Sequence, residues 1–178
     1  MRLTLGRVAA KVGSGRRRAR HSVVNLYFYM RLVIQRVRSA QVTVDEAITG
    51  RIGTGLLVLA GFAPTDAPAQ LAWMARKLVQ LRIFADDAGQ MNRSVLDTNG
   101  EILVVSQFTL LADARKGNRP SYVGAAPPAV AEPLYQQFVV LVAELLGRPV
   151  PTGIFGADMQ VSLTNDGPVT IVLDSPTA

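Results

Sequence analysis

Three hydrogen-bonding side chains, Ser106, Gln107 and Thr109, interrupt an otherwise apolar segment, residues 101–111. Burying a polar group without a partner costs about 1–3 kcal/mol, so these side chains need an explanation. They mark either a strand end that emerges into solvent or the polar floor of a pocket. In the second interpretation Gln107 and Thr109 face a substrate carbonyl or amine, because strand alternation places them opposite Ser106 and Phe108.

A second polar segment, Asn165-Asp166-Gly167-Pro168, lies between two predicted strands. Its composition is that of an ordinary turn. The Gly167-Pro168 peptide bond can also adopt the cis form at little cost, and a cis bond would direct neighbouring carbonyls the same way. Such carbonyls form a rigid acceptor site for an ammonium group. The sequence leaves the isomer open.

A third segment, residues 115–122, combines three cations with glycine and an aromatic residue. Arg115, Lys116 and Arg119 are suited to neutralising phosphates, and Tyr122 is suited to stacking on a base. The same composition is typical of a solvated loop, so the pattern alone indicates RNA contact only weakly.

The chain contains no cysteine, and its one histidine, His21, lies in a basic leader. Residues 30–178 therefore have no disulfide, no thiolate metal site, no His-based triad and no all-His zinc site. If this part of the chain is an enzyme, we predict that it works without metal or cofactor and that its chemistry comes from hydroxyls, carboxylates, amides, backbone groups or the substrate. Asp86 and Asp87 precede Gly89 and are interpreted as a solvated turn.

The net charge of +6 comes from the leader. Residues 1–29 hold seven basic and no acidic side chains, whereas residues 30–178 hold twelve basic and thirteen acidic ones. We favour the interpretation that residues 1–29 are disordered or not native, with Met30 as the first residue. A targeting segment and a basic arm that contacts RNA are the alternatives. No uninterrupted apolar run has the length of a membrane span, so we expect a cytoplasmic protein.

Hydrophobic periodicity in residues 30–178 predicts a single domain with several strands and two helices. The order of elements predicts an α+β fold of mixed or antiparallel sheets, with the two helices packed on one side of a layered sandwich. The first helix is capped by Asp66 and the second begins at Pro127 and ends at Gly147. The predicted strands span residues 32–37, 41–44, 47–52, 56–61, 101–111, 157–163 and 169–173, and the predicted helical core residues are Leu71, Met74, Leu78, Leu81, Leu134, Phe138, Leu141, Val142 and Leu145.

Taken together, three motifs resemble the D-aminoacyl-tRNA deacylase family. They are Ser-Gln-Phe-Thr-Leu at residues 106–110, Gly-Asn-Arg-Pro-Ser-Tyr at 117–122, and the segment 157–170 that contains Asn-Asp-Gly-Pro. The resemblance covers residues 30–173 in order. One departure is Tyr122, where we expect phenylalanine.

The resemblance implies a homodimer whose active site lies at the subunit interface. Gly167 and Pro168 of one subunit reach the partner's pocket beside the catalytic segment Ser106, Gln107, Phe108 and Thr109. The cis Gly-Pro bond then acts as a chirality filter, in which carbonyls hold the α-amino group and an L side chain is excluded. Glycine has no side chain to exclude, so glycyl-tRNA is expected to be accepted as well.

The function implied is hydrolysis of the ester of D-aminoacyl-tRNA, a proofreading step in translation. The RNA's 2′-hydroxyl helps activate water, and backbone N–H groups near Phe108 and Thr109 stabilise the oxyanion. Thr109 as a nucleophile ranks lower, because no base lies beside it in the sequence. Two other functions stay open: a non-catalytic RNA-binding module, which the nearly neutral domain disfavours, and a small-molecule esterase.

Overall fold

Seven strands and two helices make up the fold of the computed structural model, which describes residues 29–176. Apart from Tyr29, the basic leader and the predictions made for it lie outside these residues. The strands are β1 (Arg31–Val44), β2 (Ala47–Ile52), β3 (Gly55–Gly61), β4 (Phe84–Ala85), β5 (Met91–Arg93), β6 (Glu101–Ser106) and β7 (Gln160–Asp174), and the helices are α1 (Pro68–Gln80) and α2 (Pro128–Leu146).

The long strand β1 organises the main sheet. It pairs antiparallel with β3 over residues 31–37, with β2 over residues 40–44, and with β7 along nearly its whole length. Strand β6 adds to β3 in parallel, so the sheet is mixed. The predicted break between residues 37 and 41 was wrong. Continuous pairing with β7 keeps the chain extended there, and two register shifts absorb the irregularity.

Strand β7 also differs from the prediction of two strands joined by a turn. The chain does not reverse at residues 165–168, because both flanking segments pair with β1. Gln35 pairs with Thr170 and Val37 with Asn165, so the four residues 166–169 lie opposite Arg36 alone. They form a bulge within one strand. We call residues 165–169 the β7 bulge.

The sheet is buried on both faces. Leu56 and Val58 of β3 face the two helices, in a cluster that also contains Leu71 of α1 and Phe138 of α2. Leu57, between them, faces the opposite cluster, which contains Val37, Ala40, Val42, Ile52, Leu103 and Val105. Alternation along β3 thus serves two cores. The α+β prediction with both helices on one face is confirmed.

Helix α1 begins one residue later than predicted. Its N-cap is Ala67, whose backbone N–H donates to the Gln70 side chain at 2.7 Å. The carboxylate of Asp66 instead accepts the backbone N–H groups of Ala63, at 2.7 Å, and Met30, at 2.9 Å. Burial raises the pKa of Asp66. This carboxylate therefore ties the start of β1 to the α1 entry rather than capping the helix.

Helix α2 ends at Gly147 as predicted, with a left-handed φ of 72° at that glycine. Leu145 was wrongly assigned to the core, since it is exposed and the next residue, Leu146, is buried. By length and composition α2 is the one described helix that could cross a membrane, with a mean hydropathy of 1.3. Its buried residues include Phe138 and Val142, which pack into the core, and 28% of its apolar window is buried in all.

Candidate active site

The chain leaves the sheet at Ser106, where the predicted pocket floor begins. The Gln107 N–H donates to the Ala60 carbonyl at 2.8 Å, and residues Phe108–Leu111 then form a 3₁₀ turn. The predicted strand alternation was therefore wrong, because the strand ends before it can apply. Gln107 and Thr109 nevertheless meet, since Gln107 Nε2 donates a hydrogen bond to Thr109 Oγ1.

A cavity of about 440 Å³ opens beside this segment. Ser106, Gln107 and Phe108 line one part of it, while Thr109 contacts Gln107 but does not line the cavity. The remaining lining is mostly apolar and includes Phe62, Ala126, Pro128, Ala131, Phe155, Asp158 and Met159. The sequence analysis missed this wall. The only signal for it was the resemblance of residues 157–163 to the deacylase motif.

Tyr135 of α2 supports the back of the cavity. Its hydroxyl donates to the Val104 carbonyl at 3.0 Å, which ties α2 to β6 two residues before Ser106. Burial raises the pKa of Tyr135 to about 12, so the phenol stays protonated as a donor. Its ring also packs against Phe155 in the cavity wall, with 5.9 Å between ring centroids. Tyr135 thus connects β6, just before the polar segment, to Phe155 in the cavity wall.

The β7 bulge presents Gly167 and Pro168 to solvent, with a cis peptide bond between them. Gly167 has a φ of 127°, a conformation that favours glycine. Asn165 closes the bulge, because its Oδ1 accepts the Val169 N–H at 2.9 Å. The bulge is therefore a defined structure with its own hydrogen bonds.

Two arginines of β1 contact the bulge through Asp166. Arg36 is mostly buried, and its Nε lies 3.1 Å from the Asp166 carboxylate and 3.2 Å from the Asp166 carbonyl. Arg36 Nη1 donates to the Ile83 carbonyl, and Arg38 Nε also reaches the Asp166 carboxylate at 3.1 Å. The sequence analysis missed both arginines. The closely spaced cations Arg36 and Arg38 near the middle of β1 are the signal that points to them.

Within one protomer the bulge does not reach the cavity. Arg36, opposite the bulge, pairs with Leu56, whereas Ser106 pairs with Ala60, four residues further along β3. Four strand residues span about 13 Å, and none of residues 165–169 lines the cavity, although Val161 earlier in β7 does. The structure thus brings Ser106, Gln107 and Phe108 together at the cavity and leaves Gly167 and Pro168 apart from them.

The third predicted segment belongs to a loop, residues 113–121, which we call the basic loop. Backbone hydrogen bonds of 2.8 and 2.9 Å between Asp113 and Ser121 close it. Arg115 donates to the Asp113 carboxylate from Nε at 2.9 Å and from Nη2 at 2.6 Å. These hydrogen bonds hold the pKa of Asp113 well below its ordinary value. Just beyond the loop, the Tyr122 ring packs edge to face on Phe108, with 5.1 Å between centroids.

Acidic groups are spread over the molecule rather than gathered at this site. Within residues 29–176, no three Asp, Glu, His or Cys side chains come close enough to hold a metal ion together. Asp86 forms the predicted turn, where it accepts the N–H groups of Ala88 and Gln90 at 2.9 Å and the Asn92 amide at 2.7 Å.

The chain is similar to proteins that act on aminoacyl-tRNA. A family model described as D-Tyr-tRNA(Tyr) deacylase matches residues 33–174. A D-aminoacyl-tRNA deacylase of Dechloromonas aromatica (strain RCB) is 61% identical over 146 residues, covering 82% of this chain and 97% of the relative.

Two solved structures share the fold. One, described as a c-Myc DNA unwinding element binding protein, is 43% identical with a TM-score of 0.78, and the match covers 83% of this chain and 99% of that chain. The other, a probable eukaryotic D-amino acid tRNA deacylase, is 19% identical with a TM-score of 0.73 and covers 82% and 98%.

Proposed function

This chain belongs to the D-Tyr-tRNA(Tyr) deacylase family, and from that premise we propose how its residues carry out the reaction. The reaction is hydrolysis of the ester bond of D-aminoacyl-tRNA, so the protein is a hydrolase with aminoacylated tRNA as its substrate. We infer that residues 30–178 act as a single deacylase domain in the cytoplasm, where translation supplies that substrate.

We propose that the working site is built from two copies of the chain. The observation that carries this proposal is the separation of the β7 bulge from the cavity within one protomer. In a homodimer, the bulge of one subunit would enter the cavity of its partner beside Gln107. An edge strand supports this arrangement: β7 pairs with β1 on one side only among the described residues, and its Leu163 and Val172 are exposed.

The bulge would select substrates by exclusion. Gly167 allows a close backbone approach to the α-amino group, which neighbouring carbonyls would hold. An L side chain would then point into the bulge, while a D side chain would point away from it. The contacts of Arg36 and Asn165 support this role, because a filter that rejects by shape must resist deformation. Glycine presents no side chain, so glycyl-tRNA should also be hydrolysed.

The chemistry at the cavity needs only modest catalysis, because an aminoacyl ester is already activated. We propose that Gln107 orients the ester and that Thr109 positions Gln107 through their hydrogen bond, while the tRNA 2′-hydroxyl helps activate water. Among the described residues, the N–H groups of Phe108 and Thr109 have no hydrogen-bond acceptor. They are our candidates for stabilising the oxyanion.

Subunit mixing tests the two-chain site. One chain carries Gly167→Ala and the other carries both Gln107→Ala and Thr109→Ala, and each variant alone is expected to have little activity. Random exchange makes half of the dimers mixed, each with one intact site, so activity should recover to about a quarter of that of the wild type. No recovery, after mass spectrometry has confirmed exchange, would place the filter and the cavity in the same chain.

The reverse mixture is the control. Wild-type chain is mixed with an equal amount of chain that carries all three substitutions. A two-chain site leaves about a quarter of the wild-type sites intact, because every mixed dimer is then inactive. A site within one chain leaves half of them intact. Assays of a free D-amino-acid ester and of D-, L- and glycyl-tRNA then distinguish a tRNA deacylase from a small-molecule esterase or a non-catalytic RNA-binding module.

A further inference from the structure

The basic loop contains cations that differ sharply in their surroundings. Arg115 is bound through two of its nitrogens by the Asp113 carboxylate, so its charge is neutralised locally. Lys116 and Arg119 are exposed, and within residues 29–176 neither has a carboxylate at ion-pair distance, although the charge of Lys116 also contributes to lowering the pKa of Asp113. Two of the three cations therefore remain available to an anionic partner.

The loop that carries these two cations is anchored next to the cavity. The Asp113–Ser121 backbone pair closes the loop, and Tyr122 then packs on Phe108 in the cavity wall. Phe108, Tyr122 and Val123 are respectively 53%, 42% and 85% exposed. An exposed aromatic surface beside unpaired cations is the combination that binds single-stranded nucleic acid, with bases on the rings and phosphates on the cations.

We propose that Lys116 and Arg119 bind the phosphates of the single-stranded 3′ end of tRNA, while Arg115 is a structural clasp that holds the loop through Asp113. This inference rests on the proposed function. The sequence analysis treated all three cations as phosphate contacts, whereas here only Lys116 and Arg119 are, and Arg115 pairs within the loop. Phe108 and Tyr122 form the adjoining surface for the unstacked bases.

The test is the salt dependence with which the full chain binds tRNA that carries no amino acid. Each phosphate contact on a single strand contributes about 0.7 to the slope of log Kd against log salt. Lys116→Gln combined with Arg119→Gln should lower that slope by about 1.4 and weaken binding about tenfold near 0.15 M salt. In hydrolysis, KM for D-tyrosyl-tRNA should rise, while kinetics on phosphate-free 3′-O-D-tyrosyl-adenosine should change less than twofold.

Two matched variants isolate the effect. Arg76→Gln combined with Lys77→Gln removes two exposed cations from α1 and should leave the slope unchanged. Asp113→Asn combined with Arg115→Gln removes the side-chain clasp without altering net charge. It should also leave the slope unchanged, because the Asp113–Ser121 backbone hydrogen bonds still close the loop.

Three results would overturn the inference. They are an unchanged slope in the Lys116/Arg119 variant, an equal change of slope in the α1 variant, and a slope lowered by about 0.7 in the Asp113/Arg115 variant. Weaker dimerisation with an unchanged slope would assign the cations to the subunit interface and would overturn it too. Failure of the proposed function has a different signature, namely a wild-type protein that hydrolyses neither substrate.

Discussion

The guanidinium of Arg36 contacts both the carboxylate and the backbone carbonyl of Asp166, at 3.1 and 3.2 Å. It thereby fixes the residue that precedes Gly167. Because Arg36 also donates to the Ile83 carbonyl, the β7 bulge is tied to the segment between α1 and β4 as well as to β1. The projecting glycine is thus supported by contacts with two other parts of the fold.

Gly167→Ala is expected to suppress hydrolysis of every aminoacyl-tRNA. A Cβ at this position would lie 2.9 Å from Val169 Cγ2 and 3.0 Å from Arg36 Nη2, at a φ of 127° that disfavours a side chain. We expect kcat/KM to fall about tenfold to a hundredfold, since small displacements in a positioning element cost that much. Steady-state kinetics on D-tyrosyl-tRNA and glycyl-tRNA measure the effect.

Gly89→Ala is the matched control for this prediction. Gly89 also has a positive φ, 78°, but a Cβ there would meet nothing within 4 Å. Gly89→Ala should lower the free energy of unfolding by about 1–2 kcal/mol, because alanine disfavours this backbone conformation, and should leave kcat/KM unchanged. If both glycine variants lose activity equally, the bulge has no special role.

Thr109→Ala is expected to weaken the reaction without abolishing it. The substitution removes the acceptor of the Gln107 side chain, and one lost hydrogen bond corresponds to about a threefold to tenfold lower kcat. Thr109→Ser keeps the hydroxyl and should retain most of the activity. Rapid-quench kinetics of the wild type should show no burst, and trapping a covalent acyl adduct on Thr109 contradicts the positioning role.

Chelation is expected to leave the rate unchanged. The prediction follows from the sequence, since residues 30–178 contain neither cysteine nor histidine. Dialysis against EDTA, followed by an assay in metal-free buffer, provides the measurement. Loss of activity that a divalent ion restores would show that carboxylates or the RNA recruit a metal for the reaction.

Glu46→Gly is expected to stabilise the protein. Asp45 and Glu46 form the two-residue turn between β1 and β2 with φ values of 46° and 66°, a turn that normally uses glycine. Relieving the backbone strain at one of the two positions should raise the free energy of unfolding by about 1 kcal/mol and Tm by about 3 °C, with unchanged kinetics. Glu144→Gly, in the regular helix α2, should instead lower Tm, and a fall in Tm for both variants contradicts the turn argument.

Local sequence determined the elements whose signals lie within a few residues. The apolar spacing of Leu71, Met74 and Leu78 defines a buried helical face, and Gly147 ends α2 as predicted. The polar segment that starts at Ser106 was identified for the same reason, because hydrogen-bonding side chains in an apolar segment can be seen without a partner. The composition also determined that the domain has no histidine or cysteine chemistry.

The tertiary structure alone decided where the strands end and which groups meet. Residues 165–168 have turn composition, but pairing of both flanks with β1 makes them a bulge. Conversely, the strand pattern around Gln107 gives way to a 3₁₀ turn. Arg36 and Asp166 are 130 positions apart in the chain. Their ion pair depends on strand register, which long-range pairing sets and which no local pattern encodes.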